Sequence, residues 1–549
     1  MQAASMLACA RHPVHTAGMH RLLAFLLIVA SSVFAAEKRE LWIYKSTNLL
    51  VDKNVDELAT LLGRAAKAGY THMLLTDSKF SRLGEMDGRY FKNVERVKTL
   101  ALQNAIEIVP ALFPVGYSNS ILSQDVNLIE ALPVKNVPLV VKGGAAVVAD
   151  AEAPVFRDGG FDDRKRWAFV DETVVFENGT ARVTDPKEGR ARLSAKIKVT
   201  PWRQYHISVR IKTEGFRGSP EIKALPEKGA SLCHDHLGVK PTQDWQTHHA
   251  VFNSQENTQV GIYFGTWDAQ GGSLWWDDAK IEEVAFLNMP RRDGCPLVIT
   301  TADGKPLAEG TDFEPLRDPL LGTKPYAGEY DVFHTPPVLR TKLPDGTKLL
   351  ASYYHAATVH DGQAMICPSE PKTVGLLRQQ ARDMHRLWGA KGYMMSHDEI
   401  RVLNHCAACR ARSLTPGEII ADNVRTCTAI LREINPGGRI YVWSDMFDPA
   451  HNAVAGPYYL VNGPLTGSWD GLAPEVIVLP WYFEKREASL GWFANRGHKQ
   501  LIAGYYDGKP GKIKDWLTAA EKIPGVVGVM YTTWVNKYAD LETFAEAAK

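Results

Sequence analysis

The sequence lacks both a strong charge of one sign and a long hydrophobic run. Its 549 residues include 63 basic and 62 acidic residues, a formal net charge of +1. No polybasic segment marks a surface for nucleic acid or anionic lipid. The longest apolar run near the N-terminus, from Leu22 to Val29, is too short to span a bilayer. We therefore expect a protein that neither binds nucleic acid nor carries a membrane anchor.

Motifs that ligate metals are also scarce. Cys406 and Cys409 stand at a C-x-x-C spacing in "HCAAC", but no second C-x-x-C and no H-x-x-x-H follows. The sequence therefore predicts no metal site, and the pair is either a local disulfide or two free thiols. The motif "CHDH" at 233–236 lies in a segment that we interpret as a loop, and we expect no metal there.

The N-terminus is typical of an export signal. A short basic start precedes the apolar core, and small residues stand at Ala35 and Ala36. We predict that residues 1–35 form a signal peptide cleaved near Ala35/Ala36. The mature protein is then secreted or periplasmic, with an oligomeric state that the sequence does not give.

The remaining chain is too long for one ordinary domain, and its pattern changes along its length. Short apolar runs alternate with helical periodicity in residues 36–135, and the same alternation resumes in residues 366–549. Together the two segments contain eight strands separated by helices. The predicted fold class is therefore α/β, a (β/α)8 TIM barrel whose two parts are residues 36–135 and 366–549.

The segment between the two barrel parts follows a different pattern. Residues 136–288 show alternating apolar and polar residues broken by Gly, Pro, Asp and Asn, with no long helix. This pattern predicts an inserted antiparallel β-sandwich. Residues 289–365 are turn-rich, and we interpret them as an extension of the barrel.

Acids and aromatic residues dominate the predicted C-terminal ends of the barrel strands, where the active sites of such barrels lie. Aromatic faces stack on sugar rings, and carboxylates handle protons and hydroxyl groups. The set therefore predicts a sugar site, although a solvated turn is the alternative for the adjacent Asp398 and Glu399. The strand ends offer Lys45, Asp77, Tyr117, His397, Asp398, Glu399, Trp443, Asp445, Trp481, Tyr505, Asp507, Trp534 and Asn536.

Several of these motifs resemble the family 20 glycoside hydrolases, the β-N-acetylhexosaminidases. "CPSEPKTVGLLRQQARDMHRL" followed by "GYMMSHDEIR" is similar to the family's fourth-strand unit, which ends in an Asp-Glu pair. "VWSDMF", "YYD" and "TTW" resemble its fifth-, seventh- and eighth-strand segments, and "IVPALFPVGYS" its third. The resemblance covers roughly residues 40–120 and 365–540.

The resemblance implies a substrate-assisted, retaining mechanism, in which the acetamido oxygen of the sugar attacks the anomeric carbon. Asp398 would orient the acetamido N–H, and Glu399 would act as the general acid and base. Tyr505 would donate to the acetamido oxygen. The other expected substrate-binding residues are His397, Trp443, Asp445, Trp481, Asp507 and Trp534.

The sequence departs from the family pattern at four positions. Lys45 stands where the family has a first-strand Arg, Tyr117 replaces its third-strand His, and His397 replaces a Gly. The eighth-strand Glu is unmatched, since Val535 and Asn536 follow the Trp. Two alternatives therefore stay open. One is a retaining glycosidase with an enzyme carboxylate as nucleophile, Asp507 or Asp445, and Glu399 as acid. The other is a non-catalytic glycan-binding protein on a barrel scaffold.

The predicted sandwich resembles the jelly-roll carbohydrate-binding modules, in "VTPWRQYHISVRIKTEGF" and "GGSLWWDDAKIEEV". That resemblance implies glycan binding through exposed aromatic rings and, in the inserted sandwich alone, a structural calcium. No other cofactor is expected. The alternative is a purely structural insert. The candidate stacking residues are Trp202, Trp267, Trp275 and Trp276.

Overall fold

The computed structural model describes residues 39–149, 156, 159–360 and 362–549. The predicted signal peptide and its cleavage site lie outside the described residues. Within these ranges, no helix combines the length and the apolar character that crossing a bilayer requires.

Eight parallel strands close into a barrel, which confirms the closed eight-stranded architecture expected from the sequence. The first strand pairs with both the second and the eighth, so that Ile43 lies beside Met73 on one side and Tyr531 on the other. In chain order the barrel strands are Glu40–Ser46, His72–Thr76, Glu107–Leu112, Gly392–Met395, Arg439–Trp443, Ile477–Leu479, Gln500–Ala503 and Val526–Tyr531.

α-Helices follow the barrel strands at every position but the fifth in the described part of the chain. Between the fifth and sixth strands stand the short 3-10 turns Asp445–Phe447 and Ser468–Gly471 and the two-residue strand Leu460–Val461. Two further short helices, Asn119–Leu122 and Ala407–Arg410, lie in loops. The helices that follow strands are Asp52–Ala68, Gly88–Gln103, Pro371–Trp388, Pro416–Ile434, Arg486–Asn495, Ile513–Ala520 and Leu541–Ala547.

Local sequence explains how two of these helices begin. The helix Pro416–Ile434 starts with a capping box, in which Thr415 Oγ1 accepts from the Glu418 N–H and Glu418 Oε2 accepts from the Thr415 N–H. The helix Pro371–Trp388 has Glu370 as its N-cap residue and Pro in its first turn. Ser369 fits the sequence pattern of a cap, but its hydroxyl lies 3.2 Å from Cys409 Sγ instead.

The inserted region contains two antiparallel sheets that enclose one apolar core. The five-stranded sheet has the spatial order Gln243–Asn253, Gln204–Arg217, Gly271–Val284, Thr180–Thr184 and Val174–Glu177. The four-stranded sheet has the order Pro220–Pro226, Gln259–Thr266, Ala191–Lys198 and Phe169–Val170. Alternating residues of both sheets point into the shared core, as expected for a sandwich.

A third antiparallel sheet differs from the predicted division of the insert. Residues 136–148, expected in the sandwich, pair instead with residues of the segment 289–365, expected to be a turn-rich extension. Long-range pairing of this kind leaves no local pattern, which is why the sequence did not reveal it. The sheet has the order Pro306–Leu307, Val298–Thr301, Lys348–Ala356, Ala131–Lys142, Ala145–Val148 and Leu339–Arg340, and it has its own apolar core.

Candidate active site

The fourth barrel strand ends immediately before the two adjacent acids. Met394 points into the barrel, whereas Met395 points outward toward the helices. This alternation continues to His397, which is fully buried and whose Nε2 lies 2.9 Å from Asn423 Oδ1 on the helix Pro416–Ile434. Burial lowers the pKa of His397 to about 4, so that the ring is neutral. The expected substrate-binding role of His397 is therefore wrong, because its ring packs behind the barrel wall.

A change in backbone conformation brings both acids to the same mouth. Glu399 has φ 47°, in the left-handed region that a non-glycine residue adopts only at a cost. Its N–H donates to Asp445 Oδ2 at 2.8 Å, a contact that holds the turn. Extended geometry would have pointed Glu399 away from Asp398, and this turn removes that constraint.

The Glu399 carboxylate is held by two neighbours. Arg401 Nη2 lies 2.8 Å from Glu399 Oε1, and the hydroxyl of Tyr117 donates to Glu399 Oε2. The side chain of Glu399 is 24% exposed, whereas that of Arg401 is 10% exposed. Glu399 thus presents a partly accessible carboxyl group at the C-terminal end of the barrel.

A glycine allows the loop after the third strand to reach this turn. A Cβ atom on Gly116 would lie 1.7 Å from the carbonyl oxygen of Asp398, closer than any real contact. Gln363 Nε2 adds hydrogen bonds to the carbonyls of Gly116 and Glu399, at 2.9 and 3.0 Å. The two loops are therefore packed backbone against backbone, which positions Tyr117 beside Glu399.

Two further carboxyls of the mouth are protonated more readily than usual. Burial, followed by the charges of Asp445 and Glu399, holds the pKa of Asp398 well above its usual range. Burial raises the pKa of Asp445 to about 7 as well. Asp445 is fully buried and also accepts from Asn452 Nδ2 at 3.0 Å and from Trp481 Nε1 at 3.4 Å. It is a positioning residue beneath the mouth and does not reach solvent.

Aromatic rings form a wall around the carboxyls. Tyr506 stacks on Trp481, with ring centroids 5.3 Å apart and planes 3° from parallel. Trp534 meets the edge of Tyr506 at 5.9 Å and lies 5.7 Å from Trp443. Tyr506 and Trp534 are 45% and 41% exposed, whereas Trp443 is buried inside the barrel. The accessible faces belong to Trp481, Tyr506 and Trp534.

Tyr505 was expected at the site, but the structure places its neighbour Tyr506 there. Tyr505 is buried outside the barrel, stacked on Tyr531 at 3.9 Å, and its hydroxyl donates to Asp540 Oδ2 at 2.9 Å. Strand alternation would have pointed Tyr505 inward with Leu501, but the strand ends at Ala503. Tyr506, with φ 49°, faces the mouth instead.

Asp507 braces the rim of the mouth. Its Oδ1 accepts from Thr533 Oγ1 at 2.6 Å, and its Oδ2 accepts from the Trp534 N–H at 2.7 Å. Both carboxylate oxygens are therefore engaged in tying the loop of the seventh strand to that of the eighth. The arrangement contradicts direct substrate binding by Asp507, although the residue positions Trp534.

Two other strand-end residues also serve local structure. Asp77 accepts from the N–H groups of Leu49 and Lys79 at 3.0 Å each, so it closes the turn after the second strand. Lys45 is buried, and its Nζ donates to Asn536 Oδ1 at 3.3 Å. Burial lowers the pKa of Lys45. Neither residue faces Glu399.

A loop of the sandwich reaches the rim of the barrel. The "CHDH" segment, between the strands Pro220–Pro226 and Gln243–Asn253, brings the ring of His234 within 4.7 Å of Tyr459. The His360 N–H donates to the His234 carbonyl at 3.0 Å. Arg401 lies over the ring of Tyr459 at 4.9 Å. A chain of contacts therefore runs from the sandwich to the partner of Glu399.

The candidate stacking residues of the sandwich are shielded. Trp276 is fully buried in the sandwich core. Lysine ammonium groups lie over the rings of Trp202, Trp267 and Trp275, at 4.1, 3.8 and 5.5 Å respectively. These three rings are only partly buried, so a glycan would have to displace a lysine to stack on them.

Sequence reasoning missed Arg401 and Tyr459, and it placed Tyr117 at a strand end without predicting its contact with Glu399. Arg401 was not among the candidates, although residues two apart in an extended segment share a face, so "EIR" could have paired it with Glu399. Tyr459 lies in the long segment after the fifth strand, which carries no motif that would have identified it.

Among the described residues, the side chains close enough to share a metal ion are Glu130, Cys367, Cys406 and Cys409. All four are buried. The sequence predicts no metal site, because no further metal-binding motif follows the C-x-x-C pair. The fold supplies Glu130 and Cys367 from earlier in the chain.

Fold and site together define a closed parallel barrel with an antiparallel insert and an aromatic, carboxyl-lined mouth. No protein-family model and no curated protein matches this sequence. Solved structures with partial likeness include a chitobiase of Flavobacterium johnsoniae, with 13% identity and a TM-score of 0.26. That match covers 36% of this chain and 31% of the chitobiase chain.

Two other solved structures each resemble part of the chain. A β-N-acetylhexosaminidase of Bacteroides fragilis shares 13% identity at a TM-score of 0.26, over 35% of this chain and 42% of that one. The structure of CBM4 shares 20% identity at a TM-score of 0.18, over 21% of this chain and 77% of that one. Likenesses at these TM-scores establish no function, which has to be argued from the site.

Proposed function

We propose that this chain is an exported glycoside hydrolase with a (β/α)8 catalytic barrel that cleaves β-linked N-acetylhexosamine. The observation that carries the proposal is the position of Glu399. Its carboxyl group is partly accessible next to Asp398, at the same mouth of the barrel as the stacked rings of Trp481 and Tyr506. Aromatic faces can stack on a sugar ring, and glycoside cleavage needs a carboxyl group that protonates the glycosidic oxygen.

The hydrogen bonds that the neighbouring acids accept favour a substrate-assisted mechanism. An enzyme nucleophile would need a free carboxylate about 5–5.5 Å from the acid. Asp445 is fully buried and accepts three hydrogen bonds, and both oxygens of Asp507 bind the eighth-strand loop. Neither candidate is free to attack an anomeric carbon. The acetamido oxygen of the substrate would then be the nucleophile.

The remaining roles follow from charge and position. Glu399 would protonate the leaving oxygen and then activate water. Asp398 would accept the acetamido N–H, and the positive charge that develops on the cyclised acetamido group would favour its ionised form. Tyr506, rather than Tyr505, would donate to the acetamido oxygen, because its ring lies at the mouth.

The experiment that tests this function compares matched aryl substrates. The full chain should hydrolyse 4-nitrophenyl β-N-acetylglucosaminide or galactosaminide and leave 4-nitrophenyl β-glucoside nearly intact. Both kinds of substrate release the same leaving group, so the difference reports the acetamido nucleophile. Well-oriented intramolecular groups reach effective molarities of about 10⁵–10⁸ M, which makes the expected difference large.

Comparable rates on the glucoside would support the rival enzyme nucleophile and contradict the proposal. Binding of N-acetylhexosamine without turnover would support the non-catalytic glycan-binding alternative. One observation favours that alternative, namely the ion pair between Arg401 and Glu399, since a proton must compete with Arg401 for the carboxylate. A glycan array run beside the hydrolysis assay separates these outcomes.

The two adjacent tyrosines offer a matched pair of variants. We expect Tyr506→Phe to lower kcat/KM on the N-acetyl substrate by about 10–100-fold, because a hydrogen bond to a charged group contributes about 1.5–3 kcal/mol. Tyr505→Phe removes a hydroxyl that donates to Asp540, away from the mouth, and should leave kcat/KM unchanged. The assignment would be reversed if Tyr505→Phe alone lost activity. Steady-state kinetics on the matched substrates decides between them.

A further inference from the structure

Three cysteine thiols and one carboxylate meet inside the protein. Cys367 Sγ lies 3.3 Å from Cys406 Sγ and 3.5 Å from Cys409 Sγ. Glu130 Oε2 lies 3.5 Å from Cys409 Sγ. The four ligand atoms are all within 4.8 Å of one another, and every one of the four residues is buried.

These spacings fit a tetrahedral metal ion. Zinc binds sulfur at about 2.3 Å and carboxylate oxygen at about 2.0–2.2 Å, so tetrahedral ligands lie about 3.8 Å apart for two sulfurs and about 3.5 Å for sulfur and oxygen. The separations around Cys367 and between Cys409 and Glu130 are close to these values. Thiolate-rich sites of this geometry select zinc over the harder divalent ions.

Hydrogen-bond donors and one cationic side chain surround the cluster. The Cys409 N–H donates to Cys406 Sγ at 3.5 Å, so this sulfur already acts as an acceptor. Glu130 Oε1 accepts from the N–H groups of His405 and Cys406, at 2.7 and 3.0 Å, which leaves Oε2 facing the sulfurs. Arg292 lies beside the cluster, with Nη2 donating to the carbonyl of Ile129 at 3.0 Å.

A disulfide would engage only two of the four clustered side chains. All six cysteines of the described residues are free thiols. Bringing two of the three clustered sulfurs to bonding distance would leave the third thiol and Glu130 Oε2 outside the bond. A metal ion uses all four groups at once.

We propose that Cys367, Cys406, Cys409 and Glu130 bind one structural Zn²⁺ ion. Binding would release the thiol protons and convert three S–H groups to zinc-bound thiolates. The ion would join three segments distant in sequence: the chain before the strand Ala131–Lys142, the entry to the helix Pro371–Trp388, and the loop after the fourth strand. Cys406 follows Glu399 by seven residues in that loop, so the ion would also stiffen the support of the mouth.

The direct experiment measures zinc in the full-length protein. We expect elemental analysis to find one zinc per chain after purification without added metal, and native mass spectrometry to find the same adduct. Replacement by Co²⁺ should give a thiolate-to-cobalt charge-transfer band and the visible bands of a tetrahedral ion. Neither readout depends on glycosidase activity, so failure of the proposed function would leave this test intact.

Single variants identify the ligands. Cys406→Ser should reduce zinc affinity by more than the about 10–100-fold that loss of an outer-shell partner costs. Glu130→Gln keeps an oxygen acceptor for the two N–H groups but loses the anionic ligand, so it should fold and yet hold zinc more weakly. Cys427→Ser is the matched control, since this thiol is buried but lies outside the cluster, and it should keep the zinc.

Two results would overturn the proposal. One is metal-free protein that fails to take up Zn²⁺ or Co²⁺ after full reduction. The other is a disulfide among the three cysteines, seen as a mass two hydrogens lower that reduction restores. A zinc signal lost in Cys295→Ser and kept in Glu130→Gln would overturn the assignment of Glu130. Cys295 is a further buried thiol, and the carbonyl of its neighbour Gly294 accepts from the Ala407 N–H.

Discussion

Glu399→Gln should reduce hydrolysis of the aryl N-acetylhexosaminide by about 10²–10⁴-fold, the usual contribution of a general acid and base. Glutamine keeps the shape of the side chain and an oxygen for the hydroxyl of Tyr117, but it has no transferable proton. The loss of rate should be larger for a substrate with a poor leaving group, because the glycosidic oxygen of such a substrate depends most on protonation. A purely structural defect would lower both rates alike.

The control for this variant is Glu418→Gln. Glu418 is an exposed glutamate in the capping box of the helix Pro416–Ile434, where glutamine fits the same hydrogen bonds. Its kcat/KM should equal that of the wild-type chain. An unchanged rate in Glu399→Gln itself, on either leaving group, would remove Glu399 from the catalytic role.

Asp445→Ala should lower kcat/KM by about 100-fold, although Asp445 touches no substrate in this account. Its carboxyl accepts from the Glu399 N–H, and a misplacement of about 1 Å at a catalytic group can cost this much. Asp445→Asn keeps an oxygen for that N–H and should retain most of the activity. Rescue by Asn but not by Ala distinguishes a positioning residue from a charged participant in catalysis.

Stability should show the second consequence of removing Asp445. Each buried N–H left without an acceptor costs about 1–3 kcal/mol, so Asp445→Ala should unfold at lower denaturant concentration than Asp445→Asn. Equal stability of the two variants, combined with equal activity, would show that the hydrogen bond to Glu399 has no positioning role.

The raised pKa of Asp445 predicts that the free energy of unfolding depends on pH. Burial raises the pKa to about 7 from its ordinary value of 3.8, so the folded chain holds a proton that the unfolded chain has lost between these two values. The contribution of Asp445 to the free energy of unfolding therefore falls as pH rises from about 4 to about 7, by about 1.4 kcal/mol per pH unit, and then levels off. Asp445→Asn lacks this dependence, so chemical denaturation of both chains across this range measures it.

Much of the fold was readable from the sequence because local pattern decides it. The eight barrel strands and the capping box at Thr415 follow from apolar periodicity and from side-chain hydrogen bonds to nearby backbone. The third antiparallel sheet was not readable. Its strands Ala131–Lys142 and Lys348–Ala356 pair across more than two hundred residues of chain, and no local pattern records such a partner.

The candidate site, too, could be predicted from the sequence only in part. Strand-end position led to Glu399, Trp481 and Trp534, which the structure places at the mouth because they follow regular strands. It failed at Tyr505, because the chain leaves extended geometry after Ala503 and the alternation of faces ends there. The proposed metal ligands could not be predicted for a different reason. Glu130 and Cys367 lie in segments that are distant in sequence and that only the fold brings to the C-x-x-C pair.

The adjacency of Asp398 and Glu399 now has a physical explanation. Asp398 continues the inward alternation of the fourth strand, whereas Glu399 reaches the mouth only through its left-handed backbone and its hydrogen bond to Asp445. Two neighbouring acids can therefore address two different atoms of one sugar. The strain at Glu399 is maintained by the loops that pack against it, among them the loop of Gly116.

Inhibition of the wild-type chain by a thiazoline mimic of the cyclised acetamido intermediate tests directly whether the acetamido group of the substrate is the nucleophile. Analogues of this kind bind about 10²–10⁸-fold more tightly than substrates when the enzyme stabilises the species they imitate. The account predicts competitive inhibition of N-acetylhexosaminide hydrolysis, with an inhibition constant far below KM. Hydrolysis that proceeds unaffected by the thiazoline would contradict substrate assistance.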